Sequence, residues 1–289
     1  MVVTGTLVTL GTAFVVDAVS PKLQKIGIQA IDAVIEEGKK TLAGSVTETR
    51  DIKYIPVRCN LASSFGQLNN QLKEIDDELK IMISTTLRQL ERTPAEELGW
   101  QKIMEICNNN GAMQKLGEPE NYSSTYPKNQ TSSDENWDWI SQGQSSIDRA
   151  KLNELQTWFV DLVGNDKDIL DDTKIDLEVF ALLMSKTGAT VKSLNSLFAA
   201  KEYNERTMID ISILRFPDIE HPYFRVYRIE LKAWSDCSRK FFKQKDVSAI
   251  SGKFNAQKFG PRDSVMQKLQ KNHDFVTQAK NDILAMFGL

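Results

Sequence analysis

A chain of 289 residues with 41% hydrophobic content is long enough to bury a sizeable core, which excludes a wholly disordered protein. The formal net charge of -3 excludes a dedicated polybasic arm, and nucleic acid is not an expected partner. That charge is uneven: residues 201–289 hold 16 Lys and Arg against 11 Asp and Glu, so this segment is +5 and the first 200 residues are -8.

Val2 to Ser20 is small and apolar with one charge, Asp17. No Lys or Arg precedes it, Asp17 interrupts it and Pro21 sits just after the small-residue cleavage point, so an uncleaved, cytoplasmic start is expected. Cys59, Cys107 and Cys237 are odd in number and lack metal-ligand spacing, which fits free thiols in a reducing compartment. Residues 5–19 predict one helix, and Ser20-Pro21 opens a second that Gly44 closes. The alternating run Asp51 to Val57, ended by Pro56, predicts an edge strand.

From Asn60 to Arg92 the apolar residues Leu61, Phe65, Leu68, Leu72, Ile75, Leu79 and Met82 recur at intervals of four and three, the seam of a long helix packed lengthwise on other helices. Thr93-Pro94-Ala95-Glu96 predicts the start of the next helix, to about Cys107. Residues 117–144 are rich in Asn, Ser, Thr and Pro, and predict a long polar loop carrying Trp137 and Trp139. Helical spacing returns with Leu152, Leu155, Trp158, Phe159 and Leu162, and again over 175–184 and 191–200. The period then changes to two. Ile209, Ile211 and Ile213 alternate with Asp210 and Ser212, and Tyr227, Ile229, Leu231 and Ala233 alternate with Arg228, Glu230 and Lys232. This predicts a hairpin with one buried face, and two further strands near 239–244 and 248–259. Val265, Leu269, Val276, Ile283 and Met286 repeat the earlier helical seam and are its expected partner.

The reading is an α+β protein: a helix-rich bundle with long amphipathic helices plus a small antiparallel sheet in the C-terminal third. It is expected as a single integrated domain over 1–289. Within it, 1–206 is mainly helical, 207–260 is a β-sheet module, and a helix over 261–289 packs back on the helical part.

No phosphate loop, paired-Cys motif or nucleophile elbow is present, and the two histidines, His221 and His273, are far apart. No cofactor or metal is expected, and the chain does not read as an enzyme. One arrangement supplies an enzymatic alternative. Asp210 upstream of Glu230-Leu231-Lys232 resembles the PD-(D/E)xK nuclease family, which implies two acids holding Mg²⁺ and a lysine assisting water attack. Alternating charge on an exposed sheet face accounts for the same residues without chemistry.

The amino-terminal stretch resembles, in outline, the segments that helical pore-forming toxins and fungal HeLo-type domains send into bilayers. On that reading Val2, Val3, Leu7, Leu10, Phe14, Val15 and Val16 enter the membrane. Arg215, Arg225, Arg228, Arg239, Lys240 and Lys243 would meet anionic headgroups. The first functional expectation is therefore a non-enzymatic membrane-active, pore-forming protein with an anionic membrane surface as partner. A self-assembling structural or storage protein, a homo-oligomer in either case, is the alternative.

Overall fold

The computed structural model describes residues 45–126, 149–181, 200–240 and 243–264, with Thr277 and Asn281; side chains at 45–47, 200–202 and 237–248 are not among those described. The predicted helices before Gly44, the tryptophan pair of the polar loop, residues 182–184 and 191–199 of the two predicted helices there, and the carboxyl-terminal seam lie outside these residues. The chain divides into two compact units. The described part of the smaller one is the strand ends 45–47, 200–202, 237–240 and 243–245. The larger holds the rest of the described residues.

Six strands form one mixed sheet: β1 (Ser45–Tyr54), β2 (Arg58–Leu61), β3 (Met113–Tyr126), β4 (Ala200–Phe216), β5 (Tyr223–Lys240) and β6 (Lys243–Pro261). The order is β1-β4-β5-β6-β3, and β2 pairs parallel with β4, Arg58 opposite Ser212 and Leu61 opposite Arg215. β3 runs antiparallel to β6, from Met113 opposite Pro261 to Tyr126 opposite Ile250. The short connections after β4 and after β5 permit only antiparallel neighbours there. The helices are α1 (Asn70–Arg92), α2 (Trp100–Asn109), α3 (Arg149–Leu162) and α4 (Lys167–Asp172), with a further helical turn over 177–181.

The expected helix-rich bundle with a small carboxyl-terminal sheet is therefore incorrect. Among the described residues strand outweighs helix, and the sheet draws strands from both ends of the chain. The physical reason is what the helical stripe faces. α1 begins only at Asn70, capped by the Asn69 side chain accepting from Leu72 N at 2.9 Å. Leu61 belongs to β2 and Phe65 to a single 3₁₀ turn. Its buried stripe, Leu79, Met82, Ile83, Leu87 and Leu90, packs with Ile103, Ile106 and Cys107 of α2 against Ile209, Ile211 and Ile213 of β4 and Phe224 and Val226 of β5. A three-four spacing specifies a helix with one apolar face, and a sheet covers that face as well as another helix does.

A second core lies on the opposite face. Leu155, Trp158, Phe159 and Leu162 of α3, Ile169 of α4 and Phe180 cover Tyr227, Ile229, Leu231 and Ala233 of β5 and Ile250, Phe254 and Ala256 of β6. Gly252 is the point of closest approach, because a Cβ there would lie 2.5 Å from Leu162 Cδ2 and 2.7 Å from Trp158 Cη2. With helices on both faces, the hairpin buries both of its sides rather than one: Asp210 and Ser212 have no exposure, and neither does Ile213.

Two local expectations also shift. The 93–96 box opens a 3₁₀ turn, Ala95–Glu97, and α2 starts after Gly99. Residues 117–126 of the expected polar loop are strand, held by β6.

Candidate functional site

The turn between β4 and β5 decides which polar residues meet. Phe216 and Tyr223 stack across it, ring centroids 4.4 Å apart and 8° from parallel. Odd residues of β5 therefore share a face with even residues of β4, and a one-residue change of register exchanges every side chain between faces. Asp210 lies with Tyr227 and Ile229. Glu230 and Lys232 lie on the other side. The carboxylates of the nuclease reading are thus separated by the sheet itself, and the structure does not bring them to one metal ion.

On the α3 side Asp210 is the centre of a buried polar network. Arg58, facing the same side from β2, donates from Nη1 to Asp210 Oδ1 at 2.6 Å and from Nη2 to Oδ2 at 3.2 Å. Thr173 Oγ1 and Lys174 N donate to the same Oδ2 at 2.8 and 3.0 Å. α4 ends on Asp172, which accepts from Tyr227 Oη at 2.5 Å, Asn60 Nδ2 at 2.6 Å and Arg58 Nη2 at 3.3 Å. Burial works against the Arg58 charge, but hydrogen bonding and charge from Asp210 outweigh it and raise its pKa. Burial first, then Asp210 and Asp172, push the Tyr227 hydroxyl above the ordinary tyrosine range. Both carboxylates already accept several donors. Chemically this is a clamp joining β2, β4, β5 and the end of α4, in which every oxygen of the two carboxylates accepts at least one donor. Among the described residues no group of three His, Cys, Asp or Glu is placed to hold a metal ion.

The other face has its own charged set. Glu205 accepts from Tyr203 Oη at 2.7 Å and pairs with Lys232 at 3.1 Å, while Arg228 pairs with Glu230 at 2.6 Å and donates from Nε to Leu98 O at 3.1 Å. Arg215 donates to Asp76 of α1 at 2.9 Å, and Lys80 reaches the same carboxylate at 2.8 Å. Beside them burial pushes the Cys59 thiol up to about 12, opposed by Arg215.

These contacts revise the headgroup assignment. Arg215, Arg225 and Arg228 are buried, and each serves a carboxylate: Asp76 for the first, Asp166 and Glu120 for the second, Glu230 for the third. A surface basic patch requires unpaired, solvated cations, which these are not. The side chains of Arg239, Lys240 and Lys243 lie outside the described residues, as do Val2, Val3, Leu7, Leu10, Phe14, Val15 and Val16.

Arg58, Asn60, Asp172 and Tyr227 were not singled out by sequence reasoning. The available signal was Asp210 itself: a carboxylate between β-branched residues in a strand requires a partner if both faces are covered.

A different property emerges along β5 and β6. One face presents Tyr227, Ile229, Leu231 and Ala233 beside Ile250, Gly252, Phe254 and Ala256, all under the α3 layer. The opposite side of the same strands carries Arg228, Glu230 and Lys232 beside Lys253, Asn255 and Gln257. This alternation holds over Tyr227–Ala233 and Ile250–Ala256, within strands of 18 and 19 residues; Phe224, Val226 and Phe259 of the same strands belong to the opposite core. No described helix is long and apolar enough to cross a membrane.

No protein-family profile matches the chain, and no curated protein matches it. Among solved structures, the Evf virulence factor aligns over 83% of this chain and 78% of its own, at 11% identity and a TM-score of 0.23. A delta-endotoxin aligns over 74% of this chain and 83% of its own, at 6% identity and a TM-score of 0.24.

Proposed function

We propose that the protein is membrane-active without being an enzyme, and that the hairpin β5–β6 is the part that enters the bilayer. The supporting observation is the sorting of Tyr227–Ala233 and Ile250–Ala256, within strands of 18 and 19 residues, into one apolar and one polar face. A bilayer-crossing strand needs about 9–11 residues, so each sorted run would form the middle of the spanning segment. In the compact protein the apolar face is occupied by Trp158, Phe159 and Leu162 of α3. Displacing that layer would offer the same face to lipid. β4 is not part of the inserting unit, because Ile209, Ile211 and Ile213 point to the opposite core.

A lone hairpin leaves backbone groups unpaired in hydrocarbon, so insertion requires several copies closing a barrel whose lumen the polar face would line. The apolar stretch containing Val2 to Val16 is the second candidate for the segment that enters. Dye release from sealed vesicles tests the activity itself, with anionic and zwitterionic lipid compared. The proposal expects release that rises steeply with protein concentration. Neither release nor co-sedimentation on both vesicle types would refute it.

A further inference from the structure

The two ends of the sheet are built differently. β3 carries Pro119, Gly117 at φ 68° and a register shift between Leu116 and Glu120. A residue without a donor and an interrupted ladder are devices that keep a free edge from pairing. β1, at the other end, has neither Pro nor Gly from Ser45 to Tyr54, and residues 48–53 are all exposed. Ile52, 45% exposed, stands in the middle of that run.

Backbone polarity limits what can add to this edge. Ile55 N donates to Ile209 O of β4 at 2.9 Å, so alternation points the backbone groups of Arg50, Ile52 and Tyr54 away from β4. A second copy joining antiparallel must match outward residues with outward ones. The two-fold axis then passes through a residue, not between two. An axis through Arg50 sets arginine on arginine, one through Asp51 sets aspartate on aspartate, and one through Lys53 sets lysine on lysine. Through Thr49, Glu48 would face Arg50, a pair that each strand already makes within itself at 2.5 Å, and Asp51 and Lys53 would face the uncharged Thr47 and Ser45. Through Ile52, the exposed isoleucine covers its own copy, Asp51 faces Lys53 twice and Arg50 faces Tyr54 twice. Opposite charges directly across a strand pair are favourable and like charges are not.

We propose that β1 is the contact between two copies of this chain, an antiparallel two-fold pairing centred on Ile52 in which Asp51 of each copy meets Lys53 of the other. Such a contact is isologous and closed, so it makes a dimer and stops. Asp51 also pairs with Arg206 of β4, so Lys53 of the second copy would be a second cation on the same carboxylate. This inference does not rest on the membrane reading.

Sedimentation of the full chain over a range of concentrations tests it. Wild type is expected to double its apparent mass as concentration rises. Lys53→Glu alone and Asp51→Lys alone should stay at the monomer mass, since each places like charges across the axis. An equimolar mixture of the two should recover the doubled mass, because every altered residue then faces its opposite. Thermal melts matching wild type tie the loss to the edge, and a variant that melts early is replaced by Ile52→Asp, which must also halve the mass. A monomeric wild type, a dimeric single variant or a mixture that stays monomeric would each overturn the assignment.

Discussion

Arg58 closes on Asp210 with both guanidinium nitrogens, at 2.6 and 3.2 Å, across the parallel pairing of β2 with β4. The carboxylate has no solvent exposure and the arginine side chain little. Taking away one partner leaves the other charge buried and unpaired, at about 3–5 kcal/mol. Asp210→Ala and Arg58→Met are therefore each expected to lower the unfolding free energy by about that amount, read by denaturant titration. The double variant Arg58→Met/Asp210→Leu should cost clearly less than the sum of the two, because no lone charge remains. Additive losses would mean that the pair does not act as a clamp.

Gly252 governs how closely α3 approaches β6. A valine there places carbon where Leu162 and the Trp158 ring already lie. Overpacking of this kind costs about 1–3 kcal/mol, so Gly252→Val should unfold at lower denaturant concentration than wild type. The nearby exposed Lys253, changed to Ala, is expected to leave the midpoint within about 0.5 kcal/mol of wild type.

Tyr227 gives the fold an alkaline limit. Its hydroxyl donates to Asp172 at 2.5 Å, and burial with two neighbouring carboxylates raises its pKa in the native state. The unfolded chain ionises this group near pH 10. Its contribution is thus fully present below about pH 10 and is lost as pH rises further, because the unfolded state then releases a proton that the native state keeps. Tyr227→Phe should flatten the fall of stability between about pH 9 and 11. An unchanged slope would remove the clamp from the alkaline transition.

The alternation of Ile209 to Ile213 and of Tyr227 to Ala233 was legible as strand, and Leu152 to Leu162 as helix. Which face each strand residue takes was not, because it depends on where the turn closes. Phe216 and Tyr223 pair, and that one contact carries Asp210 away from Glu230. The stripe of α1 read as a helix partner because apolar spacing records that a face is covered, not by what. Strand 117–126 has no apolar alternation, since it is an exposed edge whose hydrogen bonds come from β6. Arg215, Arg225 and Arg228 read as a surface patch because their carboxylates, Asp76, Asp166, Glu120 and Glu230, come mostly from distant parts of the chain.

The central claim is that the β5–β6 hairpin, and not another segment, enters the bilayer. Proteolysis of the vesicle-bound full chain, followed by mass spectrometry of the protected peptides, reads this directly. The account expects a protected peptide within residues 223–261, with α3 peptides released by the protease. Protection confined to the first twenty residues, or vesicle-bound protein whose β5 and β6 are cleaved as readily as in solution, would contradict it.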